Sequence, residues 1–311
     1  MGERHQSRSQ AVAEFAAFAA EVERMTCECR GDRRHSWRRV SEGGFDKTRY
    51  NVVPLAEKVA KKFILTHHYS GSYPAARQRY GLVTVTGDEL VGVAILGEPM
   101  HPKVLTKPFP TLDKGEAAEL SRLVLLDTVP ANGESHFVRK VFKAAAADGL
   151  RGVVAFADPL PRSTACGRLV MPGHVGTIYQ SLIDPADARW GRYTGRGTSR
   201  TLTLLPDGTV LTDRARSKVR KLDTGWAYVV ARLVALGAPP LDSGTDPGVW
   251  LAAALAHIGA RKVRHAGNHR YCWPIGDRGQ RRRTPIALEP ESFPKQADLA
   301  LARLKPTCGG T

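Results

Sequence analysis

AELSRLVLLDTVPANGESHFVRKVFKAAAADGLRGVVAFADPLP, residues 118–161, changes its hydrophobic period twice. Leu120, Leu123, Val124, Leu125 and Leu126 make an apolar run of the kind found in strands buried on both faces. Phe137, Val138, Val141, Phe142 and Ala145 then fall on one helical stripe, and Gly149 stands where a helix stops. Val153, Val154, Ala155 and Phe156 form a second strand, ended by Asp158 and Pro159. The turn between the first strand and the helix is Pro130-Ala131-Asn132-Gly133-Glu134-Ser135. A glycine-bearing turn at a helix N-terminus offers backbone N–H groups to an anion such as a pyrophosphate. Taken alone, the turn is better explained by an ordinary connection capped by Asn132 or Ser135.

Working outward, 311 residues suffice for one large domain with appendages or for two modest ones. No run of eighteen apolar residues occurs, so no membrane span is expected. MGERHQSRSQ, at the N-terminus, lacks the apolar core of a secretory signal, and five scattered cysteines do not make a disulfide framework. The expected compartment is the cytoplasm. The formal net charge is +16, most of it arginine spread along the chain, and that balance points to a phosphate-rich partner, nucleic acid.

In chain order, residues 11–25 read as a short alanine-rich amphipathic helix. The basic stretch after it holds Cys27, Cys29 and His35, but a lone C-x-C pair is weak support for a metal, and none is assigned. A helix is expected from Val53 to Thr66, running into His67-His68-Tyr69-Ser70-Gly71-Ser72. Residues 79–85 and 89–96 make a hairpin around Thr86-Gly87-Asp88. Beyond the central stretch come an irregular segment (162–176), a short helix with Tyr179, a strand near Tyr193 and a hairpin around Pro206-Asp207-Gly208. A basic helical segment follows over 213–262, and a last strand is expected over 263–273.

Helix, hairpin, strand, anion-binding turn, helix, strand, helix, strand is also the order of elements in the GNAT acyltransferases, which the chain resembles at this level. Their pyrophosphate loop begins with a basic or amide residue, where this sequence has Pro130. The resemblance implies an α/β (α+β) fold: a mixed, splayed central sheet with helices on both faces. Residues 46–276 would be the catalytic domain, 1–45 an N-terminal extension and 277–311 a flexible basic tail. Leu123, Leu125, Asn132, Gly133, Glu134 and Ser135 would bind the cofactor, acetyl-CoA or another acyl or aminoacyl donor.

A closer resemblance lies in His68-Tyr69-Ser70, Glu119-Leu120-Ser121-Arg122, Asn132-Gly133-Glu134-Ser135, Ala157-Asp158-Pro159 and Gly176-Thr177-Ile178-Tyr179-Gln180. Five motifs in this order resemble the Mom family of phage DNA-modification proteins, and His265-x-x-Asn268-His269-Arg270-Tyr271 is similar to a strand near the end of such proteins. The resemblance implies conversion of adenine in DNA to its N6-carbamoylmethyl form, which hides phage DNA from restriction.

Weighed as chemistry, transfer to a base amine needs proton handling and donors for charge on the acyl oxygen. His68, Tyr69, Arg122, Ser135, Asp158 and Tyr179 are the candidate catalytic residues. All but Tyr69 have a plainer alternative: a helix-end cap for His68, a partner for Glu119 in Arg122, an N-cap in Ser135, turn chemistry for Asp158, a core ring in Tyr179. Cys166 and His174 receive no role. Arg77, Arg79, Arg196, Arg200, Lys218 and Arg220 are candidates for gripping DNA phosphates. A target adenine in a duplex would be flipped out and stacked on Tyr69, Tyr73 or Tyr80. Transfer RNA is a possible aminoacyl donor. Two other classes stay open: an N-acyltransferase acting on a small amine or protein, and a non-catalytic DNA-binding protein.

Overall fold

The computed structural model describes residues 25–30, 34–39, 44–68, 70–171, 173–184 and 186–295. The expected helix at 11–25 lies outside them. No helix among these residues is long and apolar enough to cross a membrane. The chain divides into two compact units, where one domain over 46–276 was expected: Leu160–Pro172 and Gly197–Gly267 form a unit of their own.

The first unit is built on a mixed sheet. Strands β3 (Tyr50–Pro54), β4 (Ala76–Thr84), β5 (Leu90–Gly97) and β6 (Ala117–Leu125) form an antiparallel meander. Strand β7 (Gly152–Ala157) runs parallel to β6. Strand β14 (His269–Pro274) pairs antiparallel with β7, and β10 (Arg192–Arg196) with β14. A hairpin of β1 (Met25–Arg30) and β2 (Arg34–Arg39) joins the sheet where Arg30 pairs with Leu125. That segment lies in the expected N-terminal extension and has no regular hydrophobic period.

Helix α3 (Gly133–Ala147) connects β6 to β7, as its stripe of apolar residues predicts. Phe137, Val138, Val141 and Ala145 are fully buried. Burial of each large side chain among them contributes about 1.5–3 kcal/mol. Helix α1 (Glu57–His67) buries Ala60, Phe63 and Ile64 on the sheet. It begins later than expected, because Val53 is paired with Gly81 in β3 and β4.

Two features of β6 open the sheet. It pairs with β7 only through Ala117–Gly152, Ala118–Val153 and Glu119–Val154, and the two strands then part, as the sequence predicts. On its other side β6 carries a bulge. Arg122 faces Ile95 and Leu120 faces Leu96, so Ser121 is one residue more than β5 can match. A bulge bends its strand and re-aims the neighbouring side chain.

The segment after 276 differs from the flexible tail that its composition suggests. Helix α8 (Arg278–Arg283) is closed by a capping box of Asp277 and Gln280. Ile286 is buried, the Ala287 N–H donates to the Pro108 carbonyl and the Glu291 N–H to the Tyr193 carbonyl, as far as the described residues extend. A few apolar side chains between the arginines and prolines are enough to hold it.

In the second unit β11 (Arg200–Leu204) lies between β12 (Val210–Leu211) and β13 (Arg261–His265). A short hairpin, β8 (Arg162–Ser163) and β9 (Leu169–Met171), stands where the sequence looked irregular. Helices α5 (Asp213–Lys221), α6 (Trp226–Ala235) and α7 (Pro247–His257) pack Val219, Val229, Leu233, Trp250 and Leu251 into a separate core. The single last strand expected over 263–273 is two strands in two sheets, β13 pairing with β11 and β14 with β7.

Candidate active site

Where β6 and β7 part, the first unit encloses a cavity of about 80 Å³. Leu120 to Val124 of β6 form one wall and Phe156 of β7 another; Gly176 to Tyr179, His68, Glu134 and His174 complete it. From Leu120 to Val124 the edge of β6 that turns towards β7 has no strand partner among the described residues.

His68 follows the last turn of α1 and is 4% exposed. Its Nδ1 accepts the Ser70 N–H at 3.1 Å and lies 2.9 Å from Ser70 Oγ. A backbone N–H can only donate, so the neutral ring carries its proton on Nε2. Ser72 Oγ donates to Ser70 Oγ at 3.3 Å. The bulged Arg122 holds the same loop: Nε donates to the Ser72 carbonyl at 3.1 Å and Nη2 to Ser72 Oγ at 2.9 Å. Its Nη1 donates to the Ser121 carbonyl at 2.6 Å. Arg122 thus fixes the loop that orients His68. Burial raises the Glu119 carboxyl above the usual carboxylate range, and Arg122 opposes the shift.

Tyr179, on the short helix α4 (Thr177–Gln180), is buried against the rings of Tyr271 at 5.4 Å and Trp273 at 5.7 Å. Gly176 before it has φ 83°, and a Cβ there would meet Tyr271 at 2.8 Å and Tyr179 at 2.9 Å. Only glycine lets the chain turn there without displacing both rings. Gln180 donates to the Tyr271 hydroxyl at 3.2 Å, which itself donates to the Val175 carbonyl.

His174 had no role in the sequence reading, yet it lines the cavity. Burial pushes its pKa down to about 4, with the nearby Asp158 charge pulling the other way. It is neutral at pH 7. The Asp158 carbonyl accepts the His174 N–H at 2.9 Å. Asp158 does not line the cavity; it acts on His174 from behind. His68 and Tyr179 therefore share the cavity with Glu134 and His174, and Asp158 lies next to it, bonded through its carbonyl to the His174 N–H. The one hint in the sequence was that His174 stands within Gly173-His174-Val175-Gly176.

The Asn132–Ser135 turn departs from a phosphate cradle. Asn132 adopts φ 71° at the helix N-cap and its side chain makes no cap bond. Ser135 Oγ donates to the Asn132 carbonyl at 3.1 Å, which braces the turn, and Ser135 is not part of the cavity wall. A Cβ on Gly133 would meet Val129 Cγ1 at 2.6 Å and Leu125 and Phe45 at 3.2 Å. The protein's own core occupies the space the glycine leaves. Leu125 is fully buried there, whereas Leu123 does line the cavity. Glu134, 3% exposed, puts a carboxyl group in the first helical turn. A buried carboxyl group there stands where an anion would meet the positive end of the helix dipole. The residues present do not fit a pyrophosphate at this turn.

Tyr69 lies outside the described residues. Tyr80 is in the core, its hydroxyl donating to Asp148 at 2.9 Å, and cannot stack on a base. Tyr73 packs at the edge of the core under α1. Among the proposed phosphate contacts, Arg77 donates to the Ala117 carbonyl at 2.6 Å and to that of Gly115, and pairs with Glu98 at 3.3 Å. Arg79 donates to the Leu55 carbonyl at 3.3 Å. Both brace the sheet. Arg196, and in the second unit Arg200 and Arg220, are exposed; Lys218 is half-buried. Among the described residues no group of His, Cys, Asp and Glu is placed to hold a metal ion.

Among solved structures, the chain is similar to a tandem GNAT protein from the clavulanic acid biosynthesis pathway, without AcCoA. Identity is 11%, over 73% of this chain and 99% of that one, with a TM-score of 0.37. No curated protein matches. A family model does match over residues 49–182, a stretch that contains every residue lining the cavity. Over that stretch the chain is Mom-like, matching the Mom protein family.

Proposed function

We propose that the chain is a transferase that modifies adenine in DNA, placing a carbamoylmethyl group on N6. The observation that carries this reading is the cavity at the parting of β6 and β7, in which His68, His174, Tyr179 and Glu134 meet within the Mom-matched stretch. Adenine N6 gains a carbon and gives up a proton, and the departing part of the donor takes one up. With its proton on Nε2, His68 is a donor suited to charge developing on the transferred group. Neutral His174 is an acceptor, and the Asp158 carbonyl fixes its backbone by accepting the His174 N–H. The Tyr179 hydroxyl would protonate the leaving group.

The donor is an activated acyl or aminoacyl group, for which transfer RNA is one possible carrier. Glycyl transfer would put the carbonyl carbon on N6. Attack of the glycyl amine on C6, with departure of the former N6, would convert that amide into its carbamoylmethyl isomer with no atom gained or lost. The turn at Asn132–Ser135 does not suit the pyrophosphate of coenzyme A. The exposed Arg196, Arg200 and Arg220 supply phosphate contacts to duplex DNA, and an adenine reaching an enclosed cavity must leave the stack.

DNA recovered from cells expressing the chain should resist restriction enzymes whose sites contain adenine, and DNA from cells expressing Tyr179→Phe should be cut. Normal cutting in both would favour a transferase for a small amine or protein, or a DNA-binding protein without chemistry.

A further inference from the structure

A second and larger cavity in the first unit, about 680 Å³, has no part in the proposed chemistry. It lies at the C-terminal end of α3 and the end of β14, among Phe142, Leu182, Trp190, Trp273, Ile275 and Arg281. Its volume falls in the range of small-molecule sites, about 300–1,000 Å³. The floor is aromatic and aliphatic: Phe142, Leu182, Trp273 and Ile275 are buried side chains that also face the cavity. The rim is cationic. Arg139, Lys143, Arg151, Arg189 and Arg281 line it with the one carboxylate of Asp277, and Arg189 is already paired with Asp187 at 2.6 Å.

Asp277 is taken up capping α8, where it accepts the Gln280 N–H at 2.7 Å. Arg139 spends one donor on the Ser181 carbonyl and Arg151 one nitrogen on the Ala146 and Leu150 carbonyls. A guanidinium has five N–H groups, so both keep donors in reserve. Lys143 is exposed. The Nε1–H of Trp273 and the Nε–H of Arg281 are buried with no partner among the described residues. Buried donors without acceptors favour a ligand that brings acceptors.

Trp190 is 50% exposed, and the Arg281 guanidinium lies 4.3 Å from its ring centroid. One face of the indole is therefore backed by a cation and the ring stays accessible, which makes a platform for a flat ring. An apolar floor, a stacking platform and a cationic rim match a planar heterocycle joined to phosphate.

We infer that this cavity binds a nucleoside phosphate, either as a free nucleotide or as the terminal nucleotide of a strand. The inference is independent of the transfer reaction, since none of the first cavity's lining residues is shared.

Two of the chain's five tryptophans line the cavity, so binding is read directly by fluorescence. The full chain is titrated with AMP, with inorganic phosphate and with a short 5′-phosphorylated single-stranded oligonucleotide. AMP should quench saturably, while phosphate alone should not. Trp190→Ala and Arg281→Gln, both made at positions outside the buried core, should each weaken AMP binding about tenfold, the scale of one lost stacking contact, without lowering Tm. If the oligonucleotide competes with AMP, a strand terminus is an occupant too; if it does not, the site takes free nucleotides. No saturable quenching by either nucleotide probe, or AMP affinity in both variants unchanged from that of the unaltered chain, would overturn the inference.

Discussion

At the residue scale, the site depends on which nitrogen carries a proton and on which side chains are already committed. His68→Gln keeps an amide donor but cannot reproduce the ring's geometry, and should reduce adenine modification by a factor of about 10²–10⁴ in a single-turnover assay. His174 supplies a pH signature. Its native pKa of about 4 lies below the ordinary 6.5. Between those values the unfolded chain takes up a proton that the native state refuses, so stability falls as pH drops through that window. His174→Gln should flatten the fall in Tm between pH 6.5 and 4; an unaltered slope would mean that the His174 imidazole is not held neutral by burial. His136, whose pKa burial also lowers, will leave a smaller slope behind. His68 and Tyr179 could be singled out from residue type and neighbouring motifs. His174 could not, because it sits in an aperiodic segment and becomes chemical only when β7 and α4 enclose it. Arg77 and Arg79 misled in the opposite sense: an arginine in a basic chain looks free for phosphate until the carbonyls it braces are known.

At the scale of elements, residues 118–161 were legible because strand, helix and strand each bury a periodic face, and periodicity is local. The bulge at Ser121 was not, since it exists only in the register between β6 and β5. Gly133 shows how one residue type carries two meanings. In sequence it suggested a phosphate cradle; in the fold it makes room for Val129. Gly133→Ala forces a methyl group against that side chain and should cost about 1–3 kcal/mol, measured as a lowered urea midpoint. Retention of full stability would show that the core gives way at Val129 and that the glycine is not required for packing.

For the whole molecule, the charge excess was readable from composition, but its division between two units was not, because β11 and β13 pair across nearly sixty intervening residues. Lys218 and Arg220 belong to a unit with its own core, of which only residues 160–172 fall within the family match. Reversing Arg196 and Arg200 to Glu should weaken DNA binding and lower the slope of log K against log salt by about 2. Reversing Arg77 and Arg79 should instead lower Tm, because those side chains hold backbone carbonyls and pair with Glu98 beyond β5 and Glu57 at the start of α1. An unchanged salt slope in the first pair would mean that the exposed arginines do not meet phosphate.

The central claim joins the cavity to adenine, and nucleoside mass spectrometry tests it most directly. DNA from cells expressing the chain is digested and compared with DNA from cells expressing His68→Gln at the same level. The expected result is a deoxyadenosine bearing a carbamoylmethyl group in the first sample and its loss from the second. Unmodified deoxyadenosine in both, or equal modification in both, would contradict the account.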